Sequence, residues 1–173
     1  MNKKIKNITL CAIFCAGIVC CAQISLPMPS GVSFTLQSFA AALIGFSLKP
    51  RRAFVCNLIY VMSGAIGLPF FSAFSGGMGA IFGPTGGFLM CLPVFSALCG
   101  MSFYVNHKAY KTSLIVLAVA LLHLCGILWF SYVTANPFLS SFLSASLIYL
   151  PKDFISVFAA FLVSKRIIRF IEL

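Results

Sequence analysis

Residues 67–87 read GLPFFSAFSGGMGAIFGPTGG. The stretch carries no charged residue and lies midway in a charge-free interval between Arg52 and Lys108. One membrane-crossing helix needs about 20 apolar residues. The interval holds more than twice that number. Pro and Gly clustered at its centre stop helices and seed turns. The sequence therefore predicts that the chain goes out, turns in 67–87 and comes back, as a helical hairpin.

The same reading extends in both directions. Lys3, Lys4 and Lys6 open the chain, and no charge follows until Lys49, Arg51 and Arg52. After Lys108 and Lys111, beside His107, the next charges are Lys152 and Asp153, then Lys165, Arg166 and Arg169. LPMPSG (26–31) breaks the first interval and TANPFLSS (134–141) the third. Six spans result, at about 7–26, 34–48, 53–67, 86–104, 112–133 and 142–166 of one membrane domain covering 1–173. The expected fold is an all-α integral membrane protein with six transmembrane helices. The basic clusters all fall on one side, which the positive-inside rule makes cytoplasmic, so both termini are cytoplasmic and the three Pro/Gly turns face out. The expected location is a bacterial cytoplasmic (inner) membrane, crossed several times.

Composition excludes most alternatives. Of 173 residues, 61% are hydrophobic and 8% charged, against about 25% charged in a soluble domain. Too few polar side chains exist to cover a water-soluble surface. The net charge of +10 sits in short clusters between apolar runs, the pattern of juxtamembrane anchors and not of a nucleic-acid face. The eight cysteines form no CxxC and lie in apolar runs, so they read as small packing residues, not as metal ligands or a disulfide framework. The basic N-terminus with its apolar stretch has features of a signal peptide. Val19 before Cys20 is too bulky for lipoprotein cleavage, and a retained first span is expected. No nucleophile–base set, metal spacing or ATP motif is present: GPTGG lacks the Lys of a phosphate loop and follows no strand. No cofactor and no catalytic residue is expected.

The polar residues then carry the functional reading. Asp153 is one of only two acidic residues, the other being Glu172 in the tail, and Lys152 is the one basic residue on the outer half. An ionised side chain within a span costs several kcal/mol unless it meets a partner or a wet cavity. The pair is either structural, with a snorkelling lysine, or part of a solute site opening outward. Thr35 and Gln37 in the first outer turn, and Gly76, Gly77 and Thr85 in the glycine-rich turn, suit a small polar-headed ligand. Phe70, Phe71, Phe74, Phe82 and Phe88 supply apolar walls. His123, Asn57 and Tyr60 read as hydrogen-bonded packing residues. In AIFCA (12–16), Ala12 and Ala16 form a small face that permits close helix contact.

These stretches resemble the BioY biotin transporters, the substrate-binding (S) components of energy-coupling factor transporters. The resemblance is carried by SFTLQSF (33–39), LKPRRA (48–53), LIYVMSGAIGLPFF (58–71), SGGMGAIFGPTGGFL (75–89) and YLPKDF (149–154). It implies a six-helix fold that binds biotin from outside the lipid bilayer, energised by two ATPases and a transmembrane coupling subunit, or working alone. It places Ala12 and Ala16 at the coupling subunit. The family's sixth-span motif reads roughly Pro-Gly-Asp-x-x-Lys. Here it is Pro151-Lys152-Asp153, with Ser156 at the later lysine position. The expectation is that Asp153 accepts a ureido N–H of biotin and that Lys152, displaced from the usual place, serves its carboxylate. Another vitamin or a biotin precursor on the same architecture is the alternative. A structural or assembly factor of the membrane is a further class.

Overall fold

The computed structural model describes residues 3–28 and 31–171. Helix α1 (Lys3–Gln23) is followed by a two-residue antiparallel ladder, β1 (Ser25–Leu26) on β2 (Phe34–Thr35), that pairs Ser25 with Thr35 and Leu26 with Phe34. Then come α2 (Gln37–Ser47), α3 (Pro50–Ala65), α4 (Met78–Phe82), α5 (Gly86–Phe103), α6 (Lys108–Thr134), α7 (Phe138–Phe142) and α8 (Leu150–Ile171). Pro29 and Ser30 of the first turn lie outside the described residues.

Local chemistry sets most boundaries. Pro50 starts α3, where its missing N–H is not needed and its fixed φ suits the first turn. Ala135 adopts the left-handed conformation after α6 and Pro137 follows, a common helix stop. The core lies along α2 and α5: α5 packs on α2, α3 and α6, and α2 packs on α8. Buried Phe46, Ile44, Tyr60, Phe71, Phe95 and Val119 fill the centre. Where α2 meets α5, a Cβ on Gly45 would overlap the Ser96 carbonyl and stand 2.8 Å from Cys99 Cβ. Only glycine permits that approach.

Helix lengths depart from the even six-span reading. Among the described residues, α1, α5 and α6 are long and apolar enough to cross a membrane. A fourth crossing results if the pair Phe138–Leu147 and Leu150–Arg169, bent by 40°, is counted as one. Helix α2 has 11 residues, about 17 Å at 1.5 Å per residue, well short of a hydrocarbon core of about 30 Å. Helix α3 has 16. Helix α2 is shorter than its expected span, 34–48, because it begins only after Leu36 and stops before the Lys49–Pro50 corner, whereas α3 keeps the length expected of 53–67 and starts three residues earlier, at Pro50. The turn assigned to 134–141 is also shorter, since α7 begins at Phe138 and runs into a wide π-type turn, Leu143–Leu147.

The glycine-rich stretch is not an open turn. Residues 67–77 form a folded segment in which Gly77 N–H donates to the Gly64 carbonyl (2.7 Å) and Phe71 N–H to that of Ser75 (3.0 Å). Ala73 and Phe74 have positive φ, a strained state for residues with side chains. Gln23, the last residue of α1, holds them. Its Nε2 donates to the Phe71 carbonyl (3.1 Å), and its Oε1 accepts from Phe74 N–H (2.8 Å).

Candidate functional site

Asp153 stands in the first turn of α8, where the helix dipole favours a carboxylate. It is 4% exposed. Burial of a carboxylate demands partners, and α2, α6 and α8 itself supply them, with the π-type turn behind. Ser38 of α2 donates to Oδ1 at 2.5 Å, and Lys152 Nζ lies 2.7 Å from the same oxygen. His123 of α6 places Nε2 3.0 Å from Oδ2. Ser146 of the π-type turn places its hydroxyl 2.7 Å from His123 Nδ1.

Lys152 is fixed as closely. Besides Asp153, its ammonium donates to the Thr35 carbonyl (3.0 Å) and approaches Ser38 Oγ (3.3 Å). It lies over the ring of Phe34 at 5.1 Å and near that of Tyr149 at 6.0 Å. Cation–π contact of this kind suits a cation withdrawn from water. Tyr149 in turn donates its hydroxyl to the Val32 carbonyl. Thus the segment between α1 and α2 is tied to the head of α8 at several points.

Beside these charges lies a cavity with about 80 Å³ open to a water-sized molecule. By that measure one water needs about 10–15 Å³, so the space holds a ligand fragment and not merely one trapped water. Phe71, Phe88, Leu89, Leu92 and Leu122 make its apolar walls, and Thr35, Gln37, Ser38, Thr85, Lys152 and Asp153 its polar ones. Apolar walls with a few directed polar groups are the usual form of a small-molecule site.

The residues expected from sequence divide accordingly. Thr35, Gln37, Phe71, Thr85, Phe88, Lys152 and Asp153 converge on the cavity. Gly76, Gly77 and Ser156 do not line it. Gly76 is buttressed instead, since a Cβ there would overlap the Leu68 carbonyl, and Gly77 closes the folded segment with φ 86°. Ser156 is buried in the helix packing, one turn beyond Asp153. Of the five phenylalanines, Phe74 and Phe82 point outward, and Phe82 packs on Trp129. Tyr60 is a packing residue as expected: it receives Gln37 Nε2 at 2.6 Å and donates to the Phe70 carbonyl. Asn57 is fully buried and bonds the Ala53 carbonyl. His123 is more than that. It is a direct partner of the carboxylate, together with Ser38, and Ser146 stands behind it on Nδ1; sequence reading singled out neither serine. The available signal was the carboxylate itself, which needed donors from other spans, and His123 is the one histidine between Lys111 and Lys152.

Ala12, Ala16, Gly17 and Cys20 lie on the exposed side of α1, in a row with Ile5, Ile8 and Ile13. The stripe runs along most of the helix, and a Cβ on Gly17 would meet nothing within 4 Å.

A sequence profile described as the BioY family matches residues 1–172. The chain belongs to the BioY family. Membership makes it a transporter component and not an enzyme. A probable biotin transporter BioY of Pyrococcus horikoshii is 34% identical over 164 residues, covering 95% of this chain and 97% of that one. Biotin transporter BioY2 of Lactococcus lactis subsp. cremoris is 32% identical over 165 residues, covering 94% and 88%. A crystal structure of the S-component for biotin from an ECF-type ABC transporter aligns with a TM-score of 0.85 at 23% identity, over 96% of this chain and 92% of that one. The fold is therefore that of this S-component.

Proposed function

We propose that this chain takes up biotin across the cytoplasmic membrane, binding it from the outer side in the cavity beside Asp153. The supporting observation is the Lys152–Asp153 pair at 2.7 Å against an apolar-walled cavity. A cyclic urea carries a carbonyl oxygen flanked by N–H groups. An ammonium next to a carboxylate complements that pattern. Asp153 accepts three hydrogen bonds, and a carboxylate has about four acceptor positions, so Oδ2 retains room for a ligand N–H. The ligand carbonyl replaces the longest Lys152 contact, 3.3 Å to Ser38.

This arrangement changes one expectation from the sequence. Biotin's urea and carboxylate lie at opposite ends of the molecule, whereas Lys152 and Asp153 meet at one point. Both charges therefore serve the urea, and the carboxylate points away from them. The relatives named biotin transporters support the ligand's identity. The lysine moved from the family's later position, leaving Ser156, is the feature that favours the second reading, a biotin precursor or another vitamin on the same architecture. Equilibrium binding of radiolabelled biotin to the purified chain decides between them. Binding that unlabelled biotin displaces at low micromolar concentration or below is expected. No displaceable binding, or displacement by a different vitamin alone, rules the biotin reading out.

Six crossings with both termini and the 49–52 and 105–111 connections cytoplasmic remain the proposed topology, supported by the basic clusters. Lys108 is exposed at the start of α6. In a cysteine-free background, Lys108→Cys is expected to resist a membrane-impermeant maleimide in intact cells and to react after permeabilisation. Labelling from outside overturns the topology.

The exposed small stripe of α1 is proposed as the contact for a transmembrane coupling subunit that works with two ATPases. Ala12→Trp is expected to remove co-purification with such a subunit while biotin affinity stays within about threefold. Loss of both together would show that Ala12 supports the fold itself. In a host lacking these subunits, uptake by the chain alone identifies the solitary form.

A further inference from the structure

Resting on the biotin reading, we propose that His123, fixed in one tautomer by Ser146, is a positioning residue that sets the direction in which Asp153 accepts the ligand. The three groups form a continuous buried line from the π-type turn through α6 to the head of α8. Ser146 is 0% exposed, His123 3% and Asp153 4%.

Donor and acceptor roles follow from the partners. Asp153, paired with Lys152, is an acceptor only, so the proton between it and the ring belongs to His123 Nε2. In the neutral ring Nδ1 is then an acceptor, and the Ser146 hydroxyl donates to it. The ring is further held by the edge of Phe88, at 6.0 Å between centroids, and Phe88 itself is a cavity wall. Phe88 in its turn lies against Gly126, where a Cβ would strike its ring. The ring is held at both nitrogens and at its edge contact with Phe88, and the carboxylate by Ser38, Lys152 and His123.

The π-type turn has a reason here. Wide turns of this kind are rare and gather at functional sites. Residues Leu143–Leu147 widen the helix next to the 40° bend, and the Ser146 side chain meets His123 from there. Tyr149 N–H donates to the Ser146 carbonyl (2.9 Å), and Asp153 N–H donates to that of Tyr149 (2.9 Å). The backbone thus joins the serine that orients the histidine to the aspartate that the histidine orients. With Oδ1 held by Ser38 and Lys152, and one position of Oδ2 held by His123, a single acceptor direction is left open. That direction selects a ligand N–H and rejects an ether or ester oxygen at the same place.

The test is a double-mutant cycle on biotin affinity in the purified full chain, with His123→Leu and Asp153→Asn. If His123 acts through Asp153, His123→Leu alone weakens binding tenfold or more, and in the Asp153→Asn background it weakens binding less than threefold further. Multiplicative losses mean that His123 serves only the fold, and overturn the inference. A second pair keeps the test decisive if His123→Leu does not fold. His123→Gln offers an amide N–H at the Nε2 position and His123→Asn at the Nδ1 position. Gln is expected within about threefold of the parent and Asn at least tenfold weaker. Equal affinities overturn the proposal. If the parent chain binds no biotin, the function reading falls and this inference with it. If the parent binds and the variants disagree with expectation, this inference alone falls.

Discussion

Asp153→Asn weakens biotin binding by about 2–4 kcal/mol, roughly 30- to 700-fold, the scale of removing one charged partner from a buried hydrogen bond. The substitution preserves shape and changes only what the two arms can do. Ser38, Lys152 and His123 all donate to the carboxylate. An amide must turn its NH2 toward one of these donors, and it leaves Lys152 as a buried cation without its anion. Stability falls as well, because breaking one side of a buried ion pair costs about 3–5 kcal/mol. The thermal midpoint of each purified variant therefore has to be measured beside its affinity. A folded Asp153→Asn protein with biotin affinity within threefold of the parent would show that the carboxylate does not touch the ligand.

Most of this architecture was legible in the sequence because membranes simplify the code. A charge in an apolar run is conspicuous, and the basic clusters divide the chain without help from helix periodicity. Asp153 and Lys152 stand out for that reason alone. Cavity walls were legible where they lie in the two outer turns, as with Thr35, Gln37, Phe71, Thr85 and Phe88. Neutral partners were not. Ser38, Ser146 and His123 look like ordinary small or packing residues until elements distant in sequence bring Ser38 and His123 to one carboxylate and Ser146 to the histidine behind it. Their pairing spans 115 residues for Ser38 and 30 for His123. Helix ends were less legible for a related cause. An apolar interval fixes how much chain is available, but Leu36 and Lys49–Pro50 decide where α2 begins and ends and where α3 starts. The glycines of the folded 67–77 segment are also a lesson in position: Gly76 and Gly77 serve a tight backbone approach to Leu68 and Gly64, not the cavity.

Lys152→Gly gives the second large effect, a loss of about 2–5 kcal/mol in biotin binding, as expected when one member of a desolvated, hydrogen-bonded charge pair is truncated. Part of the measured change is conformational, since glycine costs up to about 1 kcal/mol relative to alanine inside a helix. That part is the same in Lys152→Gly and in Lys152→Gly combined with Ser156→Lys, so it cancels when the two are compared. Positions 152 and 156 are one turn apart, about 6 Å along the axis and about 40° around it. Ser156 is 6% exposed on the packed face of α8 that also carries Asp153. A lysine there can return its ammonium to the carboxylate along its flexible stem and restore the family pattern of Asp-x-x-Lys. The double variant is expected to recover at least half of the lost binding free energy. If Lys152 serves the urea, as proposed, Lys152→Gly weakens biotin and an uncharged biotin amide by the same factor. A loss confined to biotin would return Lys152 to the ligand's carboxylate. A double variant no better than Lys152→Gly would mean that the two lysine positions are not interchangeable, and that Ser156 belongs to a site with a different ligand preference.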